Sequence, residues 1–207
     1  MKLPAQLLVI TDRHQARAEI EAIADAVGRG GGRWLLLRDK DLAAAERASL
    51  GARLAEIARR HGMLLSISAD IDLAHMLGTG VHLQSAASVD AARQRLGAGP
   101  GAVIGVSAHG QSEVAAAAAA GADYVTLSPI FLTGSKPGYG PALGPAAIAA
   151  AAKLQTPILA LGGVAVERIG PCLAAGAGGI AVMGEVMRST DPCRTVGDLL
   201  AACKAAT

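Results

Sequence analysis

Thr133, Ser135 and Lys136 stand close together in a stretch that leaves the apolar run Tyr124 to Leu127 at Ser128-Pro129. Two hydroxyls that donate hydrogen bonds and a lysine that supplies a point charge suit an anionic ligand. Pro137, Gly138, Gly140 and Pro141 follow, and the two glycines would let the segment hinge as a lid.

Other apolar runs end in the same manner. Leu7 to Ile10 ends in Thr11-Asp12-Arg13, and Trp34 to Leu37 in Arg38-Asp39-Lys40. Met63 to Ile67 ends in Ser68-Ala69-Asp70. Val81 to Leu83 carries His82 and ends in Gln84-Ser85, and Val103 to Val106 ends in Ser107-Ala108-His109. Pro157 to Leu161 ends in Gly162-Gly163, and Gly179 to Met183 in Gly184. Glycine endings on two consecutive runs expose backbone N–H groups near helix starts, an arrangement that holds phosphate.

The elements between these runs must bring their ends together. Helical spacing is present at Ile20, Ile23, Ala24 and Val27, then from Ala43 to Arg60, then around Leu73 to Leu77. It returns over Ser88 to Leu96, Ser112 to Ala120, Pro145 to Lys153, Val166 to Ala175 and roughly Val196 to Ala205. Ser88 and Ser112 are placed to cap their helices, and Asp12 to cap the first. The apolar runs are nearly continuous, as strands buried on both faces must be. Eight such runs alternating with eight helices predict an α/β fold, a single-domain (β/α)8 TIM barrel over residues 1–207. An open doubly wound sheet shares the alternation. The lack of any break in composition favours closure. In the closed fold the strand ends share one rim, where active sites sit.

Composition narrows the function. Hydrophobic residues at 52% against 17% charged leave enough apolar surface for a large core. A net charge of +2, with no basic run, argues against a nucleic-acid partner. Ala115 to Ala120 is too short to span a bilayer, and no charged segment followed by a long apolar one is visible near the N-terminus, so no signal peptide is expected. Cys172, Cys193 and Cys203 are odd in number and widely spaced, which suits reduced thiols and a cytoplasmic location.

Taken together, these residues resemble the thiamine-phosphate synthase and TenI superfamily over essentially the whole chain. The resemblance is carried by Ile10-Thr11-Asp12-Arg13, Leu37-Arg38-Asp39-Lys40, Val81-His82-Leu83 and Ile104 to His109. It continues in Asp123-Tyr124-Val125, Pro129 to Lys136, Leu161-Gly162-Gly163-Val164 and Ile180 to Met183. The synthase joins a hydroxymethylpyrimidine diphosphate to a thiazole phosphate and releases pyrophosphate. The resemblance implies that Arg38 and Lys40 meet the diphosphate, with Ser107 and Lys136 facing it. It also implies that Thr133 and Ser135 bind the thiazole substrate, whose phosphate rests on Gly162, Gly163, Met183 and Gly184.

Three departures bear on the chemistry. The family's glutamine before the arginine is Leu36, and its asparagine-aspartate pair after the third strand is Ser68-Ala69. Its second magnesium-binding aspartate falls near Ala87. Magnesium needs hard oxygen ligands, and an alanine side chain offers none. No protein-built metal site is therefore expected, and magnesium would enter only with a bound diphosphate. Asp70 and Asp72 are the carboxylates left nearby. Loss of the carboxylates resembles the TenI tautomerase branch, yet the histidine of that branch is Pro129 here. His82 and His109 remain as rim histidines that could move protons, or could serve only as hydrogen-bonding groups at strand ends. The expected partners are a phosphorylated thiazole and a pyrimidine diphosphate. Activity as a synthase, activity as a tautomerase and ligand binding without catalysis all stay open, as does assembly into a homo-oligomer.

Overall fold

The computed structural model describes residues 3–99, 101–133 and 141–206. Eight parallel strands close into a barrel in the order β1 to β8, each hydrogen-bonded to its sequence neighbour and β8 to β1. They are β1 Leu7–Ile10, β2 Trp34–Leu37, β3 Leu64–Ser68, β4 Gly80–Leu83, β5 Ile104–Ala108, β6 Tyr124–Leu127, β7 Ile158–Leu161 and β8 Gly179–Val182. Closure leaves no unpaired edge. The expected barrel is thus observed, and the open sheet is not.

Helices return the chain between strands: α1 Ile20–Arg29, α2 Ala44–His61, α3 Ile71–Leu77, α4 Val89–Leu96, α5 Gln111–Ala119, α6 Gly144–Ala152 and α7 Val166–Ala174. A single turn, α8 Gly184–Met187, follows β8, and α9 Pro192–Ala205 closes the fold. α8 escapes the sequence pattern because one turn has no periodicity to read. α9 starts before Val196 because Asp191 accepts the Arg194 N–H at 3.0 Å, with Pro192 in the first turn.

Two of the expected caps are corrected, and the third holds in position only. Ser112 lies inside α5, whose N-cap is Gly110. Ser88 occupies the N-cap of α4 but its side chain makes no capping bond, because a 3-10 turn over Ala86–Ser88 precedes it and Ser85 caps that turn. Asp12 is too far from α1, whose N-cap is Glu19. It accepts the His14 N–H at 3.1 Å instead.

Strand parity divides the core in two. Leu7, Val9, Leu35, Leu37, Ile67 and Val81 point outward against the helices in one large aliphatic cluster. Leu8, Ile10, Trp34, Leu36, Tyr124, Leu159 and Ala181 fill the barrel itself. Burying each large side chain is worth about 1.5–3 kcal/mol. The interior is crowded by two aromatics, Trp34 and Tyr124, packed edge to face with centroids 4.6 Å apart. Room for them comes from Gly105, where a Cβ would stand 2.0 Å from Tyr124 Cζ.

Candidate active site

The rim after the strands is built from the β1 and β2 ends outward. Thr11 Oγ1 accepts the Arg38 N–H at 3.0 Å and donates to Asp39 Oδ2 at 2.6 Å. Asp39, 2% exposed, also accepts the Arg13 N–H at 2.8 Å. The chain is therefore pinned on both sides of Arg38, whose guanidinium donates from Nη1 to Asp12 Oδ2 at 3.2 Å. Arg13 turns away from the barrel to a two-pronged pairing with Asp41. His14 joins that pairing at 2.8 Å. These bonds hold the Asp41 carboxyl well below the usual range.

At the other side of the rim, glycines let two loops touch. Gly162 and Gly163 have φ of 94° and 62°. A Cβ on Gly162 would lie 2.9 Å from Pro129 Cα, and one on Gly163 would lie 2.4 Å from the Leu132 carbonyl oxygen. Only glycine combines that backbone shape with that approach. The loop after β6 consequently lies on the loop after β7, with Phe131 N–H donating to Gly162 O at 2.9 Å. Arg168 caps this stack: it donates to Gly163 O at 2.8 Å and stands 4.9 Å over the Phe131 ring.

Two cavities result. The first, of about 380 Å³, is lined by Ile10, Pro129, Leu161 and Ala181 on its apolar side. Gly162, Gly163, Met183, Gly184 and Thr133 line it too, as do Arg38, Arg168 and Arg188. The second, of about 590 Å³ and more polar, is lined by Asp12, His14, Gln15, Arg38, Lys40, Asp41 and Arg188. The two share Arg38 and Arg188.

Of the expected site residues, Arg38, Thr133, Gly162, Gly163, Met183 and Gly184 thus come together on the first cavity, and Arg38 with Lys40 on the second. Ser135, Lys136 and the hinge glycines Gly138 and Gly140 lie outside the described residues. Ser107, His82 and His109 line neither of these two cavities. His109 Nδ1–H donates to the Ser128 carbonyl oxygen at 2.9 Å, which ties the end of β5 to the end of β6.

His82 points into the barrel and belongs to a buried polar row. Trp34 Nε1–H donates to Ser66 Oγ at 3.1 Å, and Ser66 in turn bonds the Tyr124 phenol. Tyr124 Oη lies 2.9 Å from His82 Nδ1, and His82 Nε2 lies 3.0 Å from Ser107 Oγ. Indole can only donate, so it sets the direction of the row. The Ser66 O–H donates to the Tyr124 oxygen, Tyr124 donates to Nδ1, and Nε2–H donates to Ser107. Ser107 is then left to direct its own O–H elsewhere. Burial, and secondarily the charge of Lys40, pulls the His82 pKa down to about 3, so the ring is neutral in this row.

The end of β3 does not fit a magnesium ion. Ala69 is exposed, and Asp70 is occupied with the Leu73 N–H at 2.9 Å and Arg47 Nη1 at 3.2 Å. Asp72 pairs with Arg95 at 2.9 Å, and the Ala87 side chain has no oxygen to offer. Among the described residues, no group of three His, Cys, Asp or Glu could hold a metal ion.

Arg168 and Arg188 were not legible beforehand. Arg168 lies within α7 and Arg188 just past α8 rather than directly at strand ends, and only closure of the barrel brings them to the rim. Their clue was charge next to the glycine-ended strands.

A closed parallel barrel with paired cavities at the rim after its strands has the architecture of a small-molecule enzyme barrel. Residues 7–186 match the thiamine monophosphate synthase family model, and the chain belongs to that family. The thiamine-phosphate synthase of Chlorobium luteolum is 39% identical over 199 residues, 94% of this chain and 91% of that one. That of Methanoculleus marisnigri is 36% identical over 205 residues, 96% and 97% of the two chains. The solved thiamine phosphate pyrophosphorylase from Pyrococcus furiosus superposes with a TM-score of 0.84 at 25% identity, over 97% of this chain and 96% of that one. No helix among the described residues is long and apolar enough to cross a membrane.

Proposed function

We propose that this protein couples a hydroxymethylpyrimidine diphosphate to a thiazole phosphate, forming thiamine phosphate and pyrophosphate. The observation that carries the reading is the adjacency of two cavities that share Arg38 and Arg188. One substrate needs an apolar wall beside a phosphate seat, and the first cavity offers both. The other needs concentrated positive charge, which Arg38 and Lys40 supply in the second.

The chemistry is dissociative. The carbon–oxygen bond between the pyrimidine methylene and the diphosphate breaks, and its electron pair leaves with pyrophosphate. The thiazole nitrogen lone pair then forms the new carbon–nitrogen bond. Arg38 and Lys40 stabilise the charge that develops on the leaving group. Thr133 orients the thiazole, and the family resemblance assigns Ser135 to the thiazole and Lys136 to the diphosphate. Gly162, Gly163, Met183 and Gly184 seat the thiazole phosphate. No step is assigned to magnesium, because Ala69 and Ala87 stand where carboxylates would hold it. Metal that takes part arrives on the diphosphate. Turnover is accordingly slow beside that of a synthase with both carboxylates.

A second reading, ligand binding without catalysis, is favoured by those same alanines. Product analysis separates the readings. Coupling gives thiamine phosphate and pyrophosphate in equal amounts, and neither when one substrate is omitted. An isomerised thiazole phosphate as the sole product would replace coupling with a tautomerase. Tight binding of both substrates with no product would leave a binding protein.

A further inference from the structure

Arg188, just past α8, lines both cavities, as Arg38 does. The two guanidinium groups are carried on one hydrogen-bonded row. Arg38 Nη1 donates to Asp12 Oδ2 at 3.2 Å, and Gln15 Nε2 donates to the same oxygen at 2.7 Å. The Gln15 Oε1 atom then accepts from Arg188 Nη1. Asp12 is only 6% exposed, and its second oxygen is held by the His14 N–H. A backbone bond fixes the far end, with Arg17 N–H donating to the Met187 carbonyl oxygen at 3.0 Å. The loop after β1 is thereby stitched to α8.

Glutamine suits its place in the row. Its amide donates at one end and accepts at the other, so it links a carboxylate to a guanidinium without adding charge. The two guanidinium groups reach both cavities, with Lys40 beside them on the second; Glu167 and Glu185 also line the first cavity, and Asp12 and Asp41 the second. A guanidinium also offers a planar fork of donors suited to phosphate oxygens.

We infer that Arg188 is a second anion-binding arginine, held by an Asp12–Gln15 bracket that also holds Arg38, and that the two arginines together grip a pyrophosphate group where the cavities meet. The assignment rests on the coupling reading only for which substrate carries that group. Asp12 and Gln15 are positioning residues, while the arginines touch the ligand.

The test is calorimetric titration with inorganic pyrophosphate of the whole chain and of Arg188→Gln, Arg188→Lys, Gln15→Leu and Arg38→Gln. Arg188→Gln and Arg38→Gln should each weaken binding by about tenfold or more, since a hydrogen bond to a charged group is at stake. Arg188→Lys should lose less than Arg188→Gln. Gln15→Leu should lose about threefold although it removes no charge, an effect that an unbraced surface arginine would not transmit. Arg188 is exposed, so the unfolding midpoints should stay close to that of the parent chain. Parent-like pyrophosphate affinity in folded Arg188→Gln, with loss in Arg38→Gln, would overturn the role of Arg188 and leave the coupling reading intact. No loss in either variant, or no binding by the parent, would overturn both.

Discussion

His82 Nε2 stands 3.0 Å from the Ser107 hydroxyl oxygen, at the end of a buried row that starts at the Trp34 indole. The ring is neutral because burial pulls its pKa from 6.5 to about 3. In the unfolded chain the same ring takes up a proton near pH 6.5. Between those values the unfolded state binds the extra proton, so this group makes stability fall as pH falls from about 6.5 toward about 3. The slope for one such group is about 1.4 kcal/mol per pH unit. Denaturant unfolding of the parent and of His82→Gln across that window should show the steeper decline in the parent. Parallel curves would mean that His82 is charged in the fold and that the direction assigned to the row is wrong.

Gly163 has φ of 62°, and a Cβ there would lie 2.4 Å from the Leu132 carbonyl oxygen. Gly163→Val should therefore push the loop after β6 off the loop after β7. Stability should drop by about 1–3 kcal/mol, with loss of inorganic phosphate binding in titration. Gly170→Ala is the control, since its added Cβ meets open space within α7. It should bind phosphate normally and gain a few tenths of a kcal/mol, up to about 1. Normal phosphate affinity in Gly163→Val would remove the glycine seat from the account.

Ala69 has φ of 63°, a left-handed conformation that an alanine adopts at a cost. Its N–H donates to the His82 carbonyl oxygen at 2.8 Å, which fixes the turn. Asparagine and aspartate tolerate this conformation better. Ala69→Asn should therefore raise stability by up to about 1 kcal/mol in denaturant unfolding. Ala69→Asp combined with Ala87→Asp should add magnesium-dependent turnover if the remaining pocket is that of a synthase. A doubly substituted protein that turns over no faster with magnesium would show that these alanines do not stand in for metal ligands.

The barrel was legible because strand ends repeat one grammar: an apolar run, then a polar or glycine ending. Arg38, Gly162 and Gly163 follow that grammar and reach the rim. His82 is one residue inside its strand, and only parity shows its direction. Val81 packs outward, so His82 must point in, toward Tyr124. That parity was available in the sequence, but it needed the register of β4 against β5, in which His82 sits beside Gly105. Arg188 could not be read in this way. It follows a single helical turn, and its place depends on Gln15, whose loop meets α8 only when β8 pairs with β1.

The central claim is that the rim accepts two anionic substrates at once, in cavities that share Arg38 and Arg188. The most direct measurement is calorimetric titration of thiazole phosphate into the protein, first alone and then with saturating inorganic pyrophosphate standing in for the leaving group. The account predicts one thiazole phosphate per chain in both titrations, with affinity kept or strengthened when pyrophosphate is present. Loss of thiazole phosphate binding in proportion to pyrophosphate would show that both ligands compete for one seat, and would contradict a two-substrate coupling site.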